Sequence, residues 1–298
     1  MLVLLMVAVI WPVPQREAVA DQAGDRPQEI VALSRDQVVV LDSDSGQPVR
    51  TLATHRAGSL RLHGLSLAPD RRAVYYALSD GCAQGTVYRV PIDGSATPEP
   101  VAEGSAPAIS PDGRRLAFAA PSGEEWCHDT IVVRDLATGA QQGWRPPAGF
   151  FPGAVTRIAW APDSRRLAYV FSYEGDSVQI LDTGRDRDLP VEAYVEVTGA
   201  GGDVSSPAWQ ASSGQLAVVT APFDCCFEDS YTGPARTLLV DVASHDGDPL
   251  IEAGRRPTWL DFDASGDHLL WIDDGVLYRQ STPGEPQLLA RGYHAADW

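Results

Sequence analysis

The sequence predicts an all-β protein, a six-bladed β-propeller of four-stranded antiparallel blades, and three observations predict it. The first is self-similarity. The stretches LAPDRRAVYYAL from residue 67, ISPDGRRLAFAA from 109 and WAPDSRRLAYVF from 160 each run from an apolar residue through a Pro-Asp turn and a basic pair into an alternating strand. Two looser copies follow, WQASSGQLAVVT from 209 and FDASGDHLLWID from 262. The second is spacing. Aligned on Val74, Leu116, Leu167, Leu216 and Leu269, the copies recur at intervals of 42, 51, 49 and 53 residues, enough for four short strands and their turns. The third is that no stretch of comparable length carries helical periodicity.

In chain order, residues 2–11, LVLLMVAVIW, form an apolar run short for a bilayer span and of the right length for the core of a signal peptide. Ala18-Val19-Ala20 follows as a small-x-small cleavage site, but no Arg or Lys precedes the run, so an upstream start or an uncleaved anchor stays open beside a cleaved leader. We therefore expect residues 1–20 to be a signal peptide or N-terminal anchor, 21–28 a linker and 29–298 a single propeller domain. The expected location is extracellular or in the cell envelope.

Residues 29–53, EIVALSRDQVVVLDSDSGQPVRTLA, read as strands two, three and four of a blade. Complete units then begin near residues 60, 105, 155, 205 and 256. In each, a third strand such as TIVVRDLATG (130–139), SVQILDTG (177–184) or TLLVDVASHDG (237–247) leads through an Asp or Gly turn to a short fourth strand. The C-terminal HAADW places Trp298 in register with Leu67, Ile109, Trp160, Trp209 and Phe262. The last strand is thus the missing first strand of the N-terminal blade. In this register Trp298 and its equivalents pack between blades. The residues one position earlier, Ser66, Ala108, Ala159, Ala208, Asp261 and Asp297, face the central channel.

The Pro-Asp repeat units resemble the TolB-type propeller family, in which a tryptophan or other apolar residue precedes a Ser-Pro-Asp-Gly turn, over residues 29–298. The resemblance implies the fold and is nearly silent on activity. Blades four and five depart from it by lacking the Pro-Asp pair. The chain leaves no room for the α/β domain that precedes the propeller in TolB itself, so the Tol-Pal partnership is not carried over. Nor does the hydrolase domain of prolyl-oligopeptidase-like enzymes follow.

All 23 basic residues are arginine and the formal charge is −17. Without lysine there is no Schiff-base chemistry and no P-loop lysine, and an acidic surface argues against nucleic acid or anionic membrane. A protein or envelope ligand, basic or cationic, is the better match; no cofactor is implied and a monomer is expected. The loops between strands two and three are acidic, with Asp80, Glu124, Glu125, Asp129, Glu174, Asp176, Asp224, Glu228, Asp229, Asp273 and Asp274. They read as solvated loops, or as a funnel attracting a cationic partner.

All four cysteines lie on that face. Adjacent blades can bring Cys82 to Cys127, whereas blade four is too distant to share, which leaves Cys225 and Cys226 as a vicinal pair. Free thiols, or a thiolate metal site with His128, are the alternatives. Asp261 and Asp297, channel neighbours in adjacent blades, could bind a metal or serve acid-base chemistry, or simply hydrogen-bond channel water or backbone amides. His63 and His294 share an equivalent position early in strand one, suited to packing. The stretch DSDSGQPVRTLA from Asp42 lacks the Gly and Glu of a calcium loop and reads as a hairpin turn. G-x-S-x-G and H-E-x-x-H are both missing. Two classes of function follow: a non-catalytic exported binding platform, or a metal-dependent hydrolase or lactonase-like enzyme using the channel mouth.

Overall fold

A computed structural model describes residues 29–55, 58, 60–80, 82, 84–121, 127–147, 153–173, 175–190, 195, 202–222 and 233–298. The expected leader and linker, residues 1–28, lie outside them, as do Glu124, Glu125, Glu174, Asp224, Cys225, Cys226, Glu228 and Asp229.

The described residues form six antiparallel sheets arranged as propeller blades. Blade one holds β4 (Arg61–Leu67), β5 (Ala73–Ser79), β6 (Gly85–Pro91) and β7 (Glu99–Glu103). Blade two holds β8 (Ser105–Ile109), β9 (Arg115–Ala120), β10 (Thr130–Asp135) and β11 (Gln141–Trp144). Blade three shows three strands among the described residues, β12 (Ala154–Trp160), β13 (Arg166–Ser172) and β14 (Asp176–Asp182). Blade four holds β15 (Asp203–Trp209), β16 (Leu216–Ala221), β17 (Arg236–Val240) and β18 (Gly247–Ile251). Blade five holds β19 (Trp259–Phe262), β20 (His268–Asp273), β21 (Val276–Ser281) and β22 (Pro286–Arg291).

The sixth blade joins the two chain ends. Its order is β23 (Tyr293–Asp297), β1 (Glu29–Ser34), β2 (Gln37–Asp42) and β3 (Pro48–Thr54). The pairing of Val31 with Asp297, Ala32 with Ala296 and Leu33 with Ala295 is the closure expected from the register of HAADW. Trp298 is 6% exposed, inside the apolar cluster between blades five and six that includes Ile30, Leu41, Leu270 and Ile272.

A propeller has no single core. Each blade buries one face against the next, and six apolar clusters match the six interfaces. Alternation along the strands supplies both faces of every blade, which is why the middle strands are buried almost throughout, as in AVYYALS and LAVVTA. The basic pairs also serve these interfaces. The Arg115 guanidinium lies 4.9 Å from the Trp160 ring and that of Arg166 5.3 Å from the Trp209 ring, so each covers an indole of the following blade.

Turns repeat as strictly as strands. At the end of the third strand an aspartate accepts backbone amides of the hairpin: Asp42 from Ser45 at 2.8 Å, Asp135 from Thr138 at 2.7 Å, Asp182 from Gly184 at 2.9 Å and Asp241 from Ala243 at 2.8 Å. All four carboxyls are held below the usual carboxylate range, Asp42 and Asp135 first by the hydroxyls of Ser45 and Thr138 and then by the amides, Asp241 by the amides, and Asp182 first by Arg165. The Asp42 stretch is therefore a hairpin, as its sequence suggests.

Candidate functional site

Innermost strands decide what the channel presents. In β4, β8, β12 and β15 the pairing shifts by one residue near the strand start, at His63/Leu65, Ser105/Ala108, Val155/Arg157 and Ser205/Ala208. Such bulges bend a strand and re-aim its side chains. Gly64 sits at one of them with φ +63°, and a Cβ there would come within 2.9 Å of Ala106 and Pro107 of blade two, so the close approach of these two strands requires glycine.

Beyond the bulges, Ser66, Ala108, Ala159, Ala208, Asp261 and Asp297 all line one cavity of about 530 Å³, as the register predicts. It opens toward the turns that follow the first strands. Pro69, Pro111 and Pro162 form part of its rim, and Trp160, Trp209 and Phe262 part of its wall. It is a funnel with a polar floor and apolar sides.

The floor is made by three charged residues from three blades. Arg157 extends from blade three, its guanidinium 3.5 Å from the centre of the Trp259 ring, and Nη2 donates to the Leu260 carbonyl of blade five. Beside it lie Asp261 of blade five and Asp297 of blade six, in side-chain contact with each other. Burial, reinforced by the neighbouring Asp297 charge, pushes the Asp261 carboxyl well above the usual range. Burial also raises Asp297, to about 6, against opposing bonds from backbone amides and the Arg71 charge. The same burial brings Arg157 down to about 10, still a cation at neutral pH.

These carboxyls also tie blades together. Asp297 Oδ2 accepts the Leu67 amide of blade one at 2.7 Å, and Ser66 Oγ accepts the Ile109 amide of blade two at 3.0 Å. Asp261 accepts the Trp298 amide of blade six. In each case the channel-facing residue of one blade receives the amide of the register residue of the next. Tryptophans add similar links, Trp160 Nε1 to the Ala108 carbonyl at 2.9 Å and Trp259 Nε1 to the Ala296 carbonyl at 2.7 Å. The aspartate pair thus has the backbone-amide role that was one of its two expected uses.

At the other end of the ring the disulfide expected from adjacent blades is present, Cys82 to Cys127 with an S–S distance of 2.02 Å. Cys225 and Cys226 lie outside the described residues. Asp80 bends into its own loop, accepting the amides of Cys82 at 2.9 Å and Gln84 at 3.0 Å. Asp129 accepts the Thr130 hydroxyl at 3.1 Å. Asp273 faces Arg255 at 3.5 Å, while burial raises the Asp176 carboxyl. His294 Nε2 meets the Leu62 carbonyl at 2.9 Å, and burial lowers both His63 and His294, in keeping with a packing role. Among the described residues no three His, Cys, Asp or Glu side chains gather as metal ligands.

Two features escaped the sequence. Arg157 in AVTRIAW looks like one of many surface arginines, and its only signal is an even spacing from Ala159 that puts it on the channel face. Ser105 Oγ lies 2.8 Å from His128 Nδ1, a hydroxyl-imidazole contact that no motif announces. Both side chains are buried, Ser105 7% and His128 1% exposed.

Fold and funnel together define a six-bladed β-propeller with a funnel at one end of its channel. The sequence matches no family model and no curated protein. Solved structures do resemble it. TolB from Acinetobacter baumannii superposes with a TM-score of 0.63 at 17% identity, over 91% of this chain and 66% of that one. A putative TolB from Agrobacterium tumefaciens gives 0.64 at 15%, over 88% and 93%. A chain of the nidogen/laminin complex gives 0.65 at 11%, over 90% and 97%. The chain therefore spans just under two thirds of the Acinetobacter TolB, and the likeness establishes a TolB-like propeller fold.

Proposed function

We propose that this chain is a non-catalytic, exported propeller that serves as a binding platform for a protein, peptide or cell-envelope ligand, with its acidic, disulfide-bearing face turned to a basic or cationic partner. One observation carries the proposal. The conspicuous carboxylates of the channel are committed to blade-to-blade bonds, while a disulfide braces the loops of blades one and two where acidic side chains are concentrated. A disulfide persists in oxidising compartments, which supports export. The TolB-like fold supports a platform by analogy alone.

The test is capture from envelope extract by the mature chain, beside a variant carrying Glu124→Lys, Glu125→Lys and Asp129→Lys. The wild-type chain should retain basic proteins, released as ionic strength rises, and the charge-reversed variant should not. Identical retention by both would refute the acidic face as the binding surface.

A second reading has one observation in its favour, the adjacency of Asp261 and Asp297 that a metal-dependent hydrolase or lactonase-like enzyme would need. Against it, the Arg157 guanidinium already supplies a positive charge at this pair. Stoichiometric divalent metal in the same preparation, lost on Asp261→Asn, would establish that reading over the first.

A further inference from the structure

We propose that the funnel at the Pro-Asp-turn end of the channel binds a single carboxylate carried on a slender apolar stem. This site lies at the opposite end of the ring from the acidic loops, and the proposal goes beyond the platform reading.

Three observations carry it. Buried polar atoms with no hydrogen-bond partner among the described residues belong to four funnel-lining residues: the donors Arg157 Nη1, Trp209 Nε1 and Trp298 Nε1, and the carboxyl oxygen Asp261 Oδ2. The two indoles belong to side chains only 7% and 6% exposed. A donor left unsatisfied at such depth is costly, and an incoming oxygen relieves that cost. The second observation is charge. Arg157 and Arg71 both line the funnel near Asp297, whose other neighbour is Asp261, while Arg71 Nη2 also donates to the Glu29 carbonyl at 2.7 Å. Two guanidinium cations thus lie among the carboxyls of Asp261, Asp297 and, at the rim, Asp263. Asp263 at the rim is engaged by its own turn, accepting from Ser265, Gly266, Asp267 and His268. The third is shape, since apolar walls above a polar floor fit a ligand polar at one end only.

Nη1 is covered in the structure, so the guanidinium must rotate from the Trp259 ring toward the funnel to reach the carboxylate. It is held there by stacking, by the bond from Nη2 to the Leu260 carbonyl and by the neighbouring Asp261 and Asp297 carboxyls. A net charge of −17 over the whole chain repels polyanions, which restricts the ligand to one carboxylate on an otherwise uncharged body. A fatty or aryl acid and the free C-terminus of an apolar peptide share this chemistry.

Calorimetric titration of the intact protein decides the matter, with octanoate against octanamide and the N-acetylated tripeptide Ala-Ala-Phe against its C-terminal amide. We expect at least one acid to bind about tenfold or more tightly than its amide, because a charge-assisted bond to guanidinium is lost in the amide. The stronger of octanoate and tripeptide identifies the source. Lowering the pH from about 7.5 to about 5.5 should tighten the acid and leave the amide unchanged, since protonating Asp297 removes a negative charge that faces Arg71 and Arg157. Arg157→Met should abolish the preference for acid. Ala208→Phe, which fills the funnel without altering charge, should abolish binding of both. Equal affinity for acid and amide, or binding of neither at millimolar concentration, overturns the proposal whether or not either variant folds. Capture of basic proteins by the acidic face would survive that failure, so the two readings fail separately.

Discussion

Asp297 is shifted in the opposite sense to the turn aspartates. Its folded value near 6 lies above the ordinary 3.8, so the folded chain holds the proton more tightly than the unfolded one. Its contribution to stability is therefore greatest below about pH 4 and is lost as pH rises through about 6. The turn aspartates have the reverse sign, because depressed values make their contribution vanish as pH falls below their ordinary range. Carbon-detected carboxyl titration should show Asp297 as the outlier near 6. Arg157→Met should move the coupled Asp261 and Asp297 titrations upward, and unchanged titrations would mean that the guanidinium does not sense the pair. The two carboxylates were legible in the sequence because the repeat fixes which residues face the channel. Their partner was not. A bulge between Val155 and Arg157 sets the guanidinium's aim, and nothing in AVTRIAW announces it.

At the scale of elements, the blade is a reusable part whose bonds recur by position. Ser66 illustrates the consequence. Ser66→Ala leaves the Ile109 amide without its side-chain acceptor in a buried interface and should cost about 1 kcal/mol in denaturant unfolding. A melting curve identical to wild type would show that the blade-to-blade bond carries no net stability. The Cys82–Cys127 bridge joins neighbouring blades across a sequence separation of 45 residues. Cys82→Ser should lower stability by about 2–4 kcal/mol through the larger entropy of the unfolded chain, and reducing agent should mimic it. Strand order, turn positions and this bridge could be read in advance because each follows from a local pattern repeated in register. The acidic loops could not be read the same way. Composition shows their charge, but Asp80 spends its carboxylate on its own loop amides, and only coordinates reveal that.

For the whole molecule the decisive element is the last one. Burying the indole of Trp298, ~200 Å² at ~25 cal/mol per Å², contributes up to ~5 kcal/mol, comparable with the stability of an entire domain. Deleting residues 295–298 should therefore lower the melting temperature sharply or prevent folding, and an unchanged melting temperature would contradict the closure. The blade count was legible because five complete units and two fragments summed to a closed ring. The partner was not, since a ring of this kind organises its loops independently of what they meet.

The closing blade also has a mechanical meaning. β23 and β1 run antiparallel, with Asp297 opposite Val31 and Tyr293 opposite Ser34, so the free end of each strand emerges at the same edge of the pair. A pull that separates the two chain ends therefore loads the hydrogen bonds one after another, as in a zip, rather than all at once in shear. Tethered at its N-terminal side and tugged at residue 298, this ring should part at low force along that single seam, leaving five blades intact behind it.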